Sequence, residues 1–318
     1  MLRSLFAAAL AALIATPALA QNKLADPPIT LRIGYLKGTT DLTLAKAHGS
    51  LEAALEPRGV HVAWAGPFPA AAPAVEALNA GAVDLTGGSS TSFIASRAGG
   101  VKLVLFAYQP QSAGNEGIVV RADSPLKTLA DLKGHTVAVN RGGTGEYLLV
   151  RALNKAGVPV DTVTRAYLQP ADSSVALNGG HVDAWATWDP FLSVVLENRS
   201  DRFLANGAES GSENAIAFFA SSDFLAAHRD VVRAVFDVLK AENAWGHAHR
   251  LEAGQIWAKE LGLPDNVAAR LGEFNTNPIG PVRAEEQTHI EHIADWYVDN
   301  KIISNRPDIA NFVTDITK

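Results

Sequence analysis

The 318-residue chain is predicted to be an α/β protein of two similarly built lobes, each a mixed sheet flanked by helices, with two chain crossings forming a hinge. Three observations predict this. The octapeptide Ala77-Leu78-Asn79-Ala80-Gly81-Ala82-Val83-Asp84 returns as Ala176-Leu177-Asn178-Gly179-Gly180-His181-Val182-Asp183, matching at six of eight positions. Each copy ends a helix-like stretch, offers glycine where a helix stops in the left-handed conformation, and starts a short β run. Upstream of each copy lies a strand, a glycine turn and a helix. After each copy comes a loop suited to ligand contact, 86–92 in the first half and 185–190 in the second. Chance recurrence of a common helix terminator is the competing reading, and the matching surroundings weigh against it.

In chain order, residues 1–20 read as an export signal. Arg3 supplies the positive start, 5–14 the apolar core, and Ala18-Leu19-Ala20 a small-x-small cleavage site, so the mature chain should begin at Gln21. The apolar run is too short to span a bilayer. Residues 31–35 alternate as a strand, break at Lys37-Gly38-Thr39-Thr40, and continue as a helix over 41–54 with Leu42, Ala45, Leu51 and Leu55 on one face. After the first loop, 93–98 is helical and 101–106 is a buried strand. The polar stretch 109–117 and the strand 118–120 mark a crossing between lobes. A short helix is expected over 125–133, then a strand over 136–140, the turn Arg141-Gly142-Gly143-Thr144-Gly145, and a helix over 146–156. The strand 165–168 follows. The connection 206–214 makes the second crossing and leads into the strand 215–219. From Ser222 the chain reads as helical, over 231–245, 251–261, 265–271 and 285–300, and these helices should wrap back onto the first lobe. The expected lobes are therefore 21–116 with 215–318, and 117–214.

A glycine turn entering a helix aims unpaired backbone N–H groups outward beside the positive end of the helix dipole, which suits an anion. Two such turns, one per lobe, could hold an anion from both sides. Without the signal, 26 cations face 33 anions, a net charge of −7. That excess argues against nucleic acid and anionic membranes, though not against a small anion held by local dipoles. The absence of cysteine excludes disulfides, thiolate metal sites and a cysteine nucleophile. It also excludes lipidation after the signal, so the mature protein should be free in the periplasm.

The strand and turn Ile33-Gly34-Tyr35-x-Lys37-Gly38, the helix end Glu76-Ala77-Leu78-Asn79-x-Gly81-x-Val83-Asp84, the segment Leu129-Ala130-Asp131-Leu132-Lys133-Gly134-x-x-Val137-Ala138 and above all Val182-Asp183-Ala184-Trp185-Ala186-x-Trp188-Asp189-Pro190 form a pattern. In it the chain resembles the periplasmic substrate-binding proteins of ABC importers for aliphatic sulfonates, with taurine and nitrate binders as relatives. The resemblance implies a type II periplasmic binding protein fold that closes around ligand. It implies a small anionic ligand (an alkanesulfonate, taurine or a sulfate ester) and an ABC permease with its ATPase as partners, with no cofactor, no nucleic acid and a monomeric chain. It places the ligand among Lys37, Gly38 and Thr39, the loop at Gly88, Ser89 and Ser90, and the turn at Gly142, Gly143 and Thr144, with Trp188 and Asp189 on the far wall. The chain departs from the family at Thr144-Gly145, where serines are usual, at Ser89-Ser90, where Gly-Asp is usual, and at 69–73, which lacks the usual glycine. These departures leave the tail of the ligand open.

Of the paired tryptophans, Trp188 is expected in the cleft and Trp185 in packing. Lys37 and Arg141 either assist the anion or are solvated turn residues. Glu116 is expected to be solvent-exposed rather than to meet a ligand amine. His247 with His249, and His289 with His292, Glu285 and Glu286, lack an evident third metal ligand. No nucleophile elbow, phosphate loop or dinucleotide motif occurs. An enzyme of related fold and a periplasmic sensor are the alternatives; the first is disfavoured by the missing cysteine.

Overall fold

The computed structural model describes residues 29–318, so the export signal and the start at Gln21 lie outside the described residues. Eleven strands are present among these residues: β1 (Ile29–Leu36), β2 (Val60–Phe68), β3 (Leu85–Ser89), β4 (Leu103–Pro110), β5 (Glu116–Arg121), β6 (Thr136–Val139), β7 (Thr164–Tyr167), β8 (Ala184–Trp188), β9 (Asp201–Asn206), β10 (Ala215–Ser221) and β11 (Gly280–Pro281). They form a six-stranded sheet, β11-β4-β10-β3-β1-β2, and a five-stranded sheet, β7-β6-β8-β5-β9.

Each sheet contains the same unit. In the first, β2, β1 and β3 are parallel and β10 returns antiparallel beside β3. In the second, β7, β6 and β8 are parallel and β5 lies antiparallel beside β8. The strand that completes each unit thus comes from just after a chain crossing. The repeated octapeptide ends the equivalent helices Ala71–Asn79 and Pro170–Asn178. Gly81 and Gly180 both take the left-handed conformation, with φ of 70° and 71°. The chain then folds back so that Ala82 and His181 donate 2.8 Å backbone bonds to Ala77 and Ala176. The closing aspartates clamp the neighbouring strand. Asp84 N–H donates to Arg32 O at 2.8 Å, and Arg32 N–H returns to Asp84 Oδ2 at 2.8 Å. Asp183 and Thr136 repeat this exchange at 2.8 and 2.9 Å. The octapeptide is therefore a device that stops a helix and registers a strand.

The first lobe packs β1, β3, β4 and β10 against the helix Arg229–Ala248, whose Val231, Val232, Val235, Phe236 and Leu239 join Ile33, Leu42, Leu51 and Leu55 in one core. The other face of that sheet carries Phe93, Phe219, Ile290 and Tyr297. The second lobe closes Leu148, Leu149 and Leu153 over β5, β6 and β8 on one side, and Leu177, Trp185 and Leu192 on the other. Among the described residues no helix is long and apolar enough to cross a membrane.

Several local expectations change. The helix over 41–54 is two helices, Asp41–His48 and Ser50–Leu55, because Gly49 takes φ 66° between them. The loops at 86–92 and 185–190 are mostly strand ends followed by helix starts, at Ser90 and Phe191. The helix after the second glycine turn begins at Thr144, two residues early. The stretch 125–133 keeps only a 3-10 turn, Leu129–Leu132. Strands β2, β9 and β11 were not anticipated; β2 and β9 are edge strands, held by pairing to one neighbour each. The last helices do return to the first lobe, but Trp257 and Leu271 pack with Leu44 of that lobe and also with Val194 of the second.

Replacing Gly81 or Gly180 by alanine should destabilise the protein without touching its cavity. No atom lies within 4 Å of the Cβ that Gly81 would gain, so the cost is conformational, roughly 1–2 kcal/mol. A thermal melt should show a midpoint lower by about 2–8 °C. An unchanged midpoint for both variants would contradict the role given to the repeat.

Candidate functional site

In open α/β sheets ligands sit beyond the carboxyl ends of the parallel strands, where the strand order reverses. Here both sheets point those ends at one gap. A cavity of about 60 Å³ lies there, lined from the first lobe by Leu36 to Thr40, Pro69 to Ala71, Gly88, Ser89 and Ser92. Gln111 and Asn115 of the first crossing reach it, as do Asn140, Thr144, Trp188 and Asp189 of the second lobe. Asn275, from the C-terminal helical region, completes the wall.

Four helices begin at this cavity. Three of them, Asp41–His48, Ala71–Asn79 and Thr144–Lys155, have N-cap residues Thr40, Ala70 and Gly143 that make no side-chain cap bond. The first two leave their opening amides unpaired inside the helix, while in the third Asn140 Oδ1 accepts the Gly145 amide at 2.7 Å. The fourth, Ser90–Ala98, is closed by its own capping box, in which Ser89 and Ser92 exchange bonds of 3.1 and 2.9 Å. Three helix ends thus present donors and positive dipole to a cavity whose ionisable lining residues are Lys37, which is exposed, and Asp189. Such a site suits an anion that carries its charge at every pH. At Gly88 any side chain would collide, since a Cβ would lie 2.7 Å from Phe219 Cζ and from Ser92 Oγ. Backbone therefore forms the wall at Gly88.

Asp189 is 4% exposed and heavily bonded. Its Oδ1 accepts Ser193 N–H and Oγ–H at 2.9 and 2.6 Å, and its Oδ2 accepts Asn275 Nδ2 at 2.8 Å. Burial still pushes its carboxyl up to about 6, against the opposing pull of those donors. Asn275 Oδ1 in turn accepts Thr39 Oγ1 at 2.8 Å. One amide therefore ties the first lobe's glycine turn to the second lobe's Asp189. Arg270, on the same helical region, donates to Gly114 O at 2.6 Å and stacks by Phe203.

Of the residues expected at the site, Lys37, Gly38, Thr39, Gly88, Ser89, Thr144, Trp188 and Asp189 line this cavity. Ser90 does not: it is fully buried, donating to Asn214 Oδ1 at 3.0 Å and accepting Ala215 N–H at 3.2 Å. Gly142 and Gly143 line a larger neighbouring cavity instead, and the Gly142 amide is taken by Glu146 Oε2 at 2.7 Å. Trp185 is packed in the second lobe, 2% exposed, while Trp188 is half-buried at the cavity. Glu116, expected in solvent, is 2% exposed. Asn214 Nδ2 donates to it at 3.3 Å and burial raises its carboxyl to about 7. Asn214 also donates to Thr144 Oγ1 at 3.0 Å, so the two crossings and both lobes meet in one buried network. Sequence reading missed Asn275, Asn115, Gln111 and Asn140. Single amides in loops carry no periodic or motif signal, and only the fold brings them together. Among the described residues no group of three His, Asp or Glu could hold a metal ion.

Fold and site together define a two-lobed periplasmic-type binding protein with a ligand cavity at its hinge. Residues 56–253 match the family described as NMT1/THI5 like. An Escherichia coli (strain K12) protein described as an aliphatic sulfonates-binding protein is 33% identical over 309 residues, 97% of this chain and 95% of its own. The structure of the periplasmic aliphatic sulphonate binding protein SsuA from Escherichia coli is similar with a TM-score of 0.78, covering 90% of this chain and 97% of that one. The alkanesulfonate-binding protein SsuA from Xanthomonas axonopodis pv. citri, bound to MOPS, reaches 0.84 at 32% identity, over 91% and 99%. The chain belongs to the NMT1/THI5-like family and groups there with the aliphatic sulfonate-binding proteins.

Two outcomes test this geometry. Asn275→Ala strips Asp189 and Thr39 of a buried partner, which costs about 1–3 kcal/mol, so both the melting midpoint and anion affinity should fall; unchanged values for both would remove Asn275 from the site. The second concerns pH. Because the folded value of Asp189 lies above the ordinary 3.8, its contribution to stability is complete below that value and is lost as pH rises through about 6. The same ionisation puts a negative charge at the cavity. Affinity for a permanently charged anion should therefore tighten between pH 7.5 and 5, and Asp189→Asn should flatten the curve. Calorimetric titrations giving one dissociation constant across that range for the unaltered protein would refute it.

Proposed function

We propose that this protein captures a small sulfonate-type anion between its two lobes and delivers it to an ABC permease and its ATPase. The observation that carries the reading is the convergence of three helix starts on one cavity, two of them, at Asp41 and Ala71, without a side-chain cap. A sulfonate is ionised at every physiological pH, so fixed donors serve it better than a titrating base. Charge-assisted bonds contribute about 1.5–3 kcal/mol each. In this reading Lys37, Gly38, Thr39, Gly88, Ser89, Thr144 and Asp189 contact the headgroup or its surroundings, and Trp188 covers the ligand's apolar part. The lobes divide at 116/117 and 214/215. The relatives named above, a periplasmic aliphatic sulphonate binder and an alkanesulfonate binder holding MOPS, support the ligand class. The chain has no cysteine to serve as nucleophile, which supports binding without chemical change. The signal pattern at 1–20 supports export as a periplasmic protein starting at Gln21, the lack of cysteine supports its being unlipidated, and a monomeric chain belongs to the same reading.

A thermal-shift panel of alkanesulfonates, taurine, sulfate esters and nitrate tests this. Ligand at a hundred times its dissociation constant adds about 2.7 kcal/mol, which should raise the midpoint by several degrees. Chromatography afterwards should return the ligand intact. A panel in which no sulfonate or sulfate ester shifts the midpoint, or in which one is consumed, overturns the proposal.

A further inference from the structure

The cavity of about 60 Å³ takes the headgroup and the atoms next to it, which Trp188 covers. Beside it opens a second cavity of about 420 Å³, and Ala70, Ala71, Ser92 and Asn140 line both. The first lobe contributes mainly small side chains there, including Ala72 and Ala95, so the floor is shallow and unobstructed. The second lobe contributes a built surface. The guanidinium of Arg141 lies over the ring of Tyr167, 3.6 Å from its centroid. The ring is held in place from behind, because the Tyr167 hydroxyl donates to the buried Glu146 at 2.6 Å and Glu146 also accepts Arg165 at 2.8 Å. One face of the guanidinium covers the tyrosine; Arg141 itself is exposed and borders the cavity. A planar, weakly hydrated cation backed by an aromatic ring is a stacking surface.

We propose that the ligand this protein prefers is an arylsulfonate, its headgroup in the small cavity and its ring in the large one, stacked on Arg141. This rests on the reading of the small cavity as a sulfonate site. A two-carbon sulfonate would fill the head cavity and leave the larger one to water, whereas an aromatic ring would bury apolar area there and gain the stacking contact. Arg141 is thus a specificity-determining residue for the tail, separate from the donors that hold the head.

The test compares ethanesulfonate, octanesulfonate, sulfoacetate, benzenesulfonate and 2-naphthalenesulfonate by calorimetric titration of the full mature protein. The aryl sulfonates should bind roughly tenfold tighter than ethanesulfonate. Arg141→Ala and Arg141→Lys should both abolish that preference, since lysine keeps the charge and loses the plane, while ethanesulfonate affinity stays within about twofold. Ala72→Trp, at an exposed position of the larger cavity, should weaken the aryl ligands selectively. Equal affinity for all sulfonates, preference for octanesulfonate, preference for sulfoacetate that Arg141→Lys retains, or an aryl preference that Arg141→Lys retains would each overturn the inference while leaving the sulfonate reading intact. Failure of every sulfonate to bind would overturn both.

Discussion

A helix that starts at Thr40, Ala70 or Gly143 without a side-chain cap leaves its first amides to whatever stands in front of it. In most proteins water or a serine would take that place. Here the three starts face one another across a gap between two sheets, and a side chain supplies an acceptor at the third, where Asn140 takes the Gly145 amide at 2.7 Å. In the proposed reading the gap serves an anion chiefly through backbone amides and helix dipoles, without a titrating cation. The rest of the architecture holds those starts in position. The parallel strands set where each helix begins, the octapeptide clamps set the register of those strands, and Gly88 keeps the wall at backbone thickness.

Two buried polar networks join the lobes, and both consist largely of amides and hydroxyls. Asn275 links Thr39 to Asp189, and Asn214 links Ser90, Glu116 and Thr144. Burying polar groups costs free energy unless they are paired, so each network is favourable only while the lobes are in this relation. That dependence makes the networks sensitive to closure in a way that an apolar interface would not be. The carboxyls among them are held above their ordinary range by burial, Glu116 to about 7 and Asp189 to about 6, so the region loses stability as it ionises.

Much of the architecture was legible because it rests on local rules. The helix termini at Gly81 and Gly180 could be read from the glycine alone, and the strand-turn-helix order of each lobe from short alternating runs. The paired tryptophans were separable as well, since residues three apart on a strand face opposite ways. Edge strands were not legible in the same way. In β2, Val60, Val62 and Trp64 do alternate, but the run ends in Gly66-Pro67 and reads as a loop. In β9, the residues Asp201 to Asn206 carry no alternation, and the strand exists because β5 offers it partners. Gly49 interrupts a helix that its apolar spacing alone would carry through.

By itself the sequence determined the two-lobed repeat, the glycine turns, Trp188 at the cavity between the lobes and the family. These follow from backbone preferences and from motifs within a few residues of one another. Tertiary structure alone decided that Ser90 and Glu116 are buried in the hinge, that Gly142 spends its amide on Glu146, and that Asn275 reaches across from 236 residues away to Thr39. The physical reason is the range of the interactions. A turn is fixed by the φ of one glycine, whereas the partner of a buried amide is whichever group the packing of distant segments brings within about 3 Å.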